Sequence, residues 1–325
     1  MPASARPLPL LLLLFTSLAA CGLDPPTDLL DRGGAPIALV IEPDAGPGAI
    51  LDLIGGARRS VWLEMYLLTD ARAVDALADR ARAGCDVRVI LEPAPYLNED
   101  ANRAAADTLA AAGVSVRWAT PRFAFTHAKV LIVDHSRLVV MTLNLTAAGL
   151  GGNREYAAID GDPVDVAAAE AVFAADESGD VAGAGGRLVT SPDSSRAALA
   201  DLLDRATVTL AIETEELTDP GIVAALLAAR ARGVGVTLVW PGPPDGGAAF
   251  TKLATAGATV RAVAAPAIHA KVVVADGRAV YLGSANFTAT SLDRNRELGL
   301  RLDDAAVARR VAATIADDAA RGTSP

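Results

Sequence analysis

The sequence predicts an α/β fold in which two tandem, pseudo-symmetric halves form one unit. Two of the supporting observations are internal repeats: a strand–helix–strand pattern recurs after 149 residues, and a His-x-Lys segment recurs after 142 residues. The third is composition, because 52% of the 325 residues are hydrophobic and only 21% are charged. Such a chain has enough apolar surface to form a packed core and is not typical of disorder.

The first repeat predicts a βαβ unit in each half. Its two copies keep the same order of elements, with first strands at 60–64 and 208–213, helix starts at Asp70 and Asp219, helix ends at Gly84 and Gly233, and second strands at 87–91 and 236–240. Aspartate is a preferred N-cap and glycine a preferred residue just after a helix, so both ends of each helix are encoded locally.

The second repeat carries the chemically interesting residues. His127-Ala128-Lys129 matches His269-Ala270-Lys271, and the same spacing relates Asp134 to Asp276, Asn144 to Asn286, and the Asn-Arg-Glu segments at 153–155 and 295–297. The change of spacing from 149 to 142 means that the first copy has seven extra residues, near 96–103, where we expect a loop over the site. We expect halves at 36–183 and 184–322, packed as one unit.

Each His-x-Lys segment opens an apolar run that predicts a β-strand followed by a turn. Residues i and i+2 of a strand share a face, so the His and Lys of each motif are predicted to point the same way. Asp134 and Asp276 fall at the turns, where aspartate commonly holds backbone amides, and a structural role is favoured for both. Phe123 and Phe125 would share the strand face of the first histidine, either lining an apolar mouth or packing beneath the sheet.

The residue types in the repeat are those that cleavage of a phosphodiester requires. One imidazole can attack phosphorus and a second can protonate the departing oxygen, while lysine and asparagine side chains hold the phosphoryl oxygens. The chain has three histidines, and two of them occupy equivalent places in the repeat. The predicted catalytic residues are His127, Lys129, Asn144, His269, Lys271 and Asn286. We expect no metal or other cofactor, because the lysines supply positive charge.

This pattern resembles the phospholipase D superfamily, whose motif is His-x-Lys, four residues, Asp, and then Gly-Ser-x-Asn. The second copy matches throughout, including Asp276 and residues 283–286, whereas the first has Met141 and Thr142 in place of Gly and Ser. Thr142 keeps the hydroxyl that Ser284 supplies in the other half. The resemblance is to the bacterial branch with both motifs in one chain, and it covers nearly everything after residue 36.

The resemblance implies an α/β sandwich in which both motifs meet between the halves. It also implies a covalent phosphohistidine intermediate, with Glu155 and Glu297 orienting the histidines. We favour His127 as the nucleophile and His269 as the acid, but the near symmetry of the sequence leaves the opposite assignment open.

The N-terminus is predicted to direct export. The apolar run from Leu8 to Leu18 is too short to span a bilayer, and residues 18–22, Leu-Ala-Ala-Cys-Gly, resemble the lipobox of bacterial lipoproteins. The resemblance implies a signal peptide at 1–20, lipidation of Cys21, a tether at 21–35 and a lipid-anchored location in the bacterial cell envelope, facing the periplasm or the cell surface. The alternative is an ordinary Ala-rich cleavage site with an incidental cysteine.

The favoured substrate is a phospholipid, from which the enzyme would release the head group. A lipid anchor would place the site near a membrane, and the net charge of −10 disfavours nonspecific coating of DNA. The alternatives are an extracytoplasmic nuclease and a phosphatidyltransferase of the cardiolipin-synthase type, in which an alcohol resolves the intermediate. A non-catalytic binding protein is disfavoured because both motifs are intact. We expect a monomer.

The lipid anchor predicts the behaviour of a Cys21→Ser variant. It should leave the membrane fraction and become soluble, or accumulate as the uncleaved precursor, because the thiol that receives the lipid is missing. Cell fractionation followed by immunoblotting measures this, with Cys85→Ser as the matched control. A Cys21→Ser protein that is processed and still sediments with membranes would refute the lipobox interpretation.

Overall fold

The computed structural model describes Met1 and residues 37–180, 182–242 and 247–324. Cys21 and the predicted tether lie outside these residues, as does the predicted signal peptide apart from Met1. Within the described ranges, no helix combines the length and the apolar character needed to cross a bilayer.

The first half contains seven strands and four helices among its described residues. They are β1 (Ala38–Glu42), α1 (Gly48–Gly55), β2 (Ser60–Met65), α2 (Ala71–Arg82), β3 (Asp86–Leu91), α3 (Arg103–Ala111), β4 (Ser115–Trp118), β5 (Lys129–Val133), β6 (Arg137–Met141), β7 (Asn153–Asp160) and α4 (Pro163–Ser178).

The second half repeats this order with two additional short elements, the strand β12 and the helix α8. Its elements are β8 (Leu188–Ser191), α5 (Ser195–Arg205), β9 (Thr209–Thr214), α6 (Pro220–Ala231), β10 (Gly235–Trp240), α7 (Gly247–Thr255), β11 (Thr259–Ala262), β12 (Ala267–Ile268), β13 (Lys271–Ala275), β14 (Ala279–Gly283), α8 (Ala289–Asp293), β15 (Glu297–Leu302) and α9 (Ala305–Arg321).

Each half forms one mixed sheet, and the two sheets have the same strand order. The first runs β1-β7-β6-β5-β2-β3-β4 and the second β8-β15-β14-β13-β9-β10-β11. In both, the last three strands are parallel and the other neighbours antiparallel. The predicted fold of two pseudo-symmetric α/β halves is confirmed, whereas the boundary at 183 and 184 stays a prediction.

The ends of the repeated helices form as their sequences predict. Asp70 caps α2 and Asp219 caps α6, each accepting a hydrogen bond from a backbone N–H of the first turn. Gly84 and Gly233 follow the two helices with φ angles of 91° and 89°, a conformation that glycine adopts without a Cβ clash. The strands that follow, β3 and β10, pair in parallel with β2 and β9.

The aspartates after the motif strands hold turns. Asp134 accepts hydrogen bonds from the backbone N–H groups of residues 58–60, and Asp276 accepts those of residues 207–209. Their φ angles of 55° and 52° lie in the left-handed region, which aspartate tolerates better than most residues. The structural role favoured from the sequence agrees with these contacts, which join the end of each motif strand to the start of its neighbour.

The core lies in three layers. One apolar cluster packs α1, α2 and α3 on the outer face of the first sheet, and a second packs α5, α6 and α7 on the outer face of the other. The third lies between the two sheets and includes the apolar faces of α4 and α9. Burying residues of both halves in one cluster makes the chain a single unit rather than two separate domains.

Two fully buried arginines connect the halves through these inner helices. Arg154, in β7, pairs with Asp318 of α9 at 2.6 Å, and Arg296, next to β15, pairs with Asp176 of α4 at 2.7 Å. Each arginine therefore holds the last helix of the opposite half. The repeat contains both arginines and also both of their partners, since Asp176 and Asp318 are 142 residues apart as well. These aspartates were not predicted from the sequence.

Removing the charge of Arg296 should destabilise the fold strongly. Arg296→Met leaves Asp176 buried without its cation, and breaking a buried ion pair in this way costs about 3–5 kcal/mol in the free energy of unfolding. Arg82→Met is the control, because its pair with Asp79 is more than half exposed and should contribute about 1 kcal/mol or less. Denaturant titration of both variants measures the difference in the free energy of unfolding. Equal losses of stability would contradict the role of Arg296 in holding α4.

Candidate active site

The segments that carry the two histidines leave their own sheets and contact the other half. Thr126 forms a parallel bridge with Arg296, and the backbone N–H of His127 donates to the Arg296 carbonyl at 2.8 Å. In the second half, β12 pairs in parallel with the first residues of β7, Asn153 and Arg154. The prediction that the strands begin at the histidines is therefore wrong, because β5 and β13 begin at the lysines.

Each histidine contacts the repeated glutamate of the opposite half. His127 Nδ1 lies 2.9 Å from Glu297 Oε2 with hydrogen-bond geometry, and His269 Nδ1 lies 2.6 Å from Glu155 Oε1 but outside that geometry. Both glutamates are completely buried. Burial alone would raise their pKa, but the neighbouring histidines and lysines lower it below the ordinary value. Both are therefore carboxylates, fit to orient an imidazole.

The two motif lysines are completely buried beside the histidines. The Nζ of Lys129 donates to the His127 carbonyl at 2.8 Å, and that of Lys271 donates to the His269 carbonyl at 2.5 Å. Burial, reinforced by the charge of Lys271, lowers the pKa of Lys129 to about 7. A phosphoryl anion bound beside it would restore the charged form.

The residues that replace Gly-Ser in the first motif change how its glutamate is held. Thr142 Oγ1 donates to Glu155 Oε2 at 2.6 Å and accepts from a backbone N–H at 2.9 Å. Ser284 instead donates to the Leu298 carbonyl, and Glu297 receives a hydrogen bond from Asn295 at 3.0 Å. The Thr hydroxyl thus positions the carboxylate that faces His269.

Four of the six predicted catalytic side chains, two from each half, line one cleft with a volume of about 510 Å³. Its walls include His127, His269, Asn144 and Asn286, together with residues outside the motifs: Tyr66, Leu67, Tyr96, Phe125, Glu215, Glu216, Thr218, Thr288, Thr290, Ser291 and Asn295. Both asparagines are largely buried, and their Oδ1 atoms have no hydrogen-bond partner among the described residues. The structure therefore brings the two copies of the motif to one site.

The loop with the extra residues of the first half does reach this cleft. Tyr96 contributes to the wall, and its backbone N–H donates to the Tyr66 hydroxyl at 2.7 Å. Phe125 lines the cleft, but the predicted strand through Phe123 and Phe125 is absent from the structure. Phe123 instead lies 4.6 Å from the guanidinium of Arg296, because the segment turns away to meet the second half.

Glu215 is a cleft residue that the motif did not predict. Its Oε2 lies 2.9 Å from Lys271 Nζ, 3.5 Å from His269 Nε2 and 3.4 Å from Asn286 Nδ2. Two groups expected to hold phosphoryl oxygens, Lys271 and Asn286, and the expected acid, His269, thus converge on one carboxylate oxygen. The repeat could have identified the position, since Glu215 lies 149 residues after Tyr66.

The protonation of the first histidine follows from its surroundings. Burial and the charge of Lys129 lower the pKa of His127 to about 4, although Glu297 opposes this shift. At neutral pH the ring is therefore uncharged. Because Nδ1 faces the Glu297 carboxylate, we assign the ring proton to Nδ1, which leaves the lone pair on Nε2.

In the described part of the chain, no group of three or more His, Cys, Asp and Glu side chains is arranged to bind a metal ion. The motif lysines lie behind the lining residues, with Lys271 Nζ 2.9 Å from Glu215 and Lys129 Nζ 5.1 Å from the Tyr66 ring. His135 lies at the surface and pairs with Glu170 at 2.6 Å.

Residues 50–176 and 199–319 match the family described as "Cardiolipin synthase, PLD-like domain". No match was found among curated proteins. Among solved structures, polyphosphate kinase from Porphyromonas gingivalis aligns with a TM-score of 0.69 and 15% identity over 86% of this chain, which spans 50% of that protein. Phosphatidylserine synthase from Haemophilus influenzae Rd KW20 aligns with a TM-score of 0.69 and 13% identity over 86% of each chain.

A third structure is Nuc, a phospholipase D family member from Salmonella typhimurium, with 25% identity and a TM-score of 0.40 over 42% of this chain and 95% of its own. The family match covers well over half of the chain and includes both motifs. The chain therefore belongs to the phospholipase D-like family.

The neutral state of His127 is directly measurable. Its pKa should be about 4, and Glu297→Gln should lower it further, because the carboxylate stabilises the protonated ring. Nitrogen-15 NMR titration of the imidazoles tests this in a chain with three histidines, and His135→Gln removes the surface signal for assignment. A His127 pKa of 6 or higher would contradict the described environment.

Proposed function

We propose that this protein is a metal-independent phosphodiesterase of the phospholipase D type, which hydrolyses phospholipid head groups through a phosphohistidine. The main support is the convergence of Lys271, His269 and Asn286 on one acceptor oxygen, in a cleft that also contains His127 and Asn144. An anion held there would lie between the two histidines, with hydrogen-bond donors from both halves.

In the first step, His127 Nε2 attacks phosphorus and the bond from phosphorus to the head-group oxygen breaks. His269, paired with Glu155, donates its proton to that oxygen, so the head group leaves as an alcohol rather than an alkoxide. The two lysines and two asparagines hold the phosphoryl oxygens as negative charge shifts among them. Glu297 stabilises the positive charge that His127 acquires when it forms the phosphohistidine.

In the second step, His269 is a neutral base and takes a proton from a water molecule. The resulting hydroxide attacks phosphorus, the phosphorus–nitrogen bond to His127 breaks, and phosphatidate is released. Both histidines then return to their initial states. If an alcohol replaced water, the same steps would give transphosphatidylation, and the match to the family described as "Cardiolipin synthase, PLD-like domain" favours keeping this as the second candidate.

A phospholipid agrees with the acidity of the cleft better than a nucleic acid does. Glu215 and Glu216 both line it, and the whole chain has a net charge of −10. Carboxylates repel a polyanion, whose binding usually depends on many lysines and arginines. We also propose that the protein acts as a monomer and is anchored through Cys21 in the bacterial cell envelope. Phospholipid substrate is present at that location.

A direct assay discriminates among these candidates. The soluble part, residues 24–325, should release head groups from phosphatidylcholine or phosphatidylglycerol in the presence of EDTA, with little cleavage of single-stranded DNA. Added glycerol should divert product only if an alcohol can replace water. Preferential DNA cleavage, or complete dependence on an added divalent metal, would refute the proposal.

The roles of the two histidines predict different responses to an activated substrate. His127→Ala and His269→Ala should each lower turnover by several orders of magnitude, and the double variant should be hardly worse, because the residues act as a unit. A p-nitrophenyl phosphodiester needs little protonation of its leaving group. It should partly rescue His269→Ala and leave His127→Ala inactive.

Other patterns of initial rates among these variants would lead to different conclusions. Rescue of His127→Ala alone would exchange the two roles. Two half-active single variants whose effects simply multiply would indicate two independent sites, and the shared cleft would then be wrong. His135→Ala is the control, because that histidine lies at the surface and pairs with Glu170.

A further inference from the structure

Glu215 breaks the symmetry of the cleft. The equivalent position in the first half is Tyr66, whose ring lies 4.5 Å from the ring of His127 and 5.1 Å from Lys129 Nζ. The aromatic ring gives the first lysine a neutral neighbour, whereas the carboxylate gives Lys271 an ion-pair partner at 2.9 Å. A substrate therefore encounters Lys129 beside an aromatic ring and Lys271 in an ion pair.

The carboxylate of Glu215 stands where a phosphoryl oxygen has to bind. Burial would raise its pKa, but Lys271 and His269 hold that pKa well below its usual range, so the group is charged at neutral pH. A phosphodiester that binds Lys271 must displace this carboxylate. The Glu215 side chain is only 33% exposed, so its carboxylate is partly shielded from water and needs a new partner once it loses Lys271.

The same cleft offers surfaces that attract a cation. The ring of Phe125 stands nearly perpendicular to Tyr66 and Tyr96, with centroids 6.2 Å and 6.5 Å away. Aromatic faces bind ammonium groups, and quaternary ammonium groups in particular. Glu216 also lines the cleft, where burial and the charge of Glu215 raise its pKa.

We propose that Glu215 determines specificity by favouring phosphodiesters whose departing alcohol carries an amine or quaternary ammonium group. The phosphoryl group takes Lys271 from Glu215, and the substrate's own cation becomes the new partner of the carboxylate. A zwitterionic substrate thus replaces one ion pair with two. An anionic or neutral head group leaves Glu215 without a partner. This inference rests on the proposed phosphodiesterase function.

Two substrates of the same shape isolate the charge. One is dihexanoyl phosphatidylcholine, and the other is the 3,3-dimethylbutyl ester of the same phosphatidate, in which carbon replaces the ammonium nitrogen. Wild-type kcat/KM should favour the choline ester by about 10- to 100-fold, the size expected for one contact to a charged group. Glu215→Gln should reduce this ratio to near one. Glu177→Gln removes the same charge outside the cleft and should leave the ratio unchanged.

Each other outcome counts against the inference. A ratio that Glu215→Gln leaves unchanged would overturn it. Equal acceleration of both esters would also overturn it, because Glu215 would then be only an obstacle in the phosphoryl site.

A binding measurement separates this inference from the proposed function. Calorimetry with phosphorylcholine and with 3,3-dimethylbutyl phosphate requires no turnover. If neither ester is hydrolysed but wild type prefers phosphorylcholine and Glu215→Gln does not, the function is wrong and the role of Glu215 stands. Equal affinities in the wild type would overturn the role of Glu215 even if the enzyme hydrolyses phospholipids.

Discussion

The contact between each histidine and the glutamate of the opposite half is the constraint on which the site depends. His127 and Glu297 are 170 residues apart in the chain, yet Nδ1 and Oε2 lie 2.9 Å apart. The backbone reinforces this exchange, since His127 donates to the Arg296 carbonyl and β12 pairs with β7. Neither half therefore contains a complete site, and a shift of one half against the other would disconnect both histidines.

The segment Asn-Arg-Glu links this contact to the stability of the fold. Its arginine clamps the last helix of the opposite half, and the next residue is the glutamate that meets the opposite histidine. Stability and chemistry thus rely on adjacent residues of one segment. The arrangement places several charges in the interior, and such charges are tolerated only where each has a partner. The buried ion pairs hold the halves in the register in which each histidine contacts the glutamate of the opposite half.

Much of the architecture could be predicted because the sequence encodes it locally. Asp70 and Gly84 cap their helix by short-range contacts, and the repeat transfers the same assignment to the second half. The strand predicted at His127 failed because its backbone leaves the sheet to bond with Arg296, a partner that no local pattern specifies.

The pairing across the halves was likewise beyond the sequence. Each glutamate keeps the same spacing to the histidine of its own half, so the repeat alone could not show that the partners are exchanged. Glu215 was missed for a different reason: it lies outside the His-x-Lys motif and its counterpart in the repeat is Tyr66, so its role emerges only from the three side chains that converge on its carboxylate. The sequence therefore predicted which motif residues form the site. The pairing between halves and the asymmetry introduced by Glu215 became visible only in the structure.

The most direct test of a single shared site is the number of phosphoryl groups that the chain can hold. Rapid quenching during turnover of a phosphate-labelled diester, followed by mass spectrometry of the peptides, locates any phosphohistidine. A single shared site predicts at most one phosphoryl group per chain, on His127. Comparable labelling of His127 and His269, or more than one group per chain, would mean that the two motifs act separately.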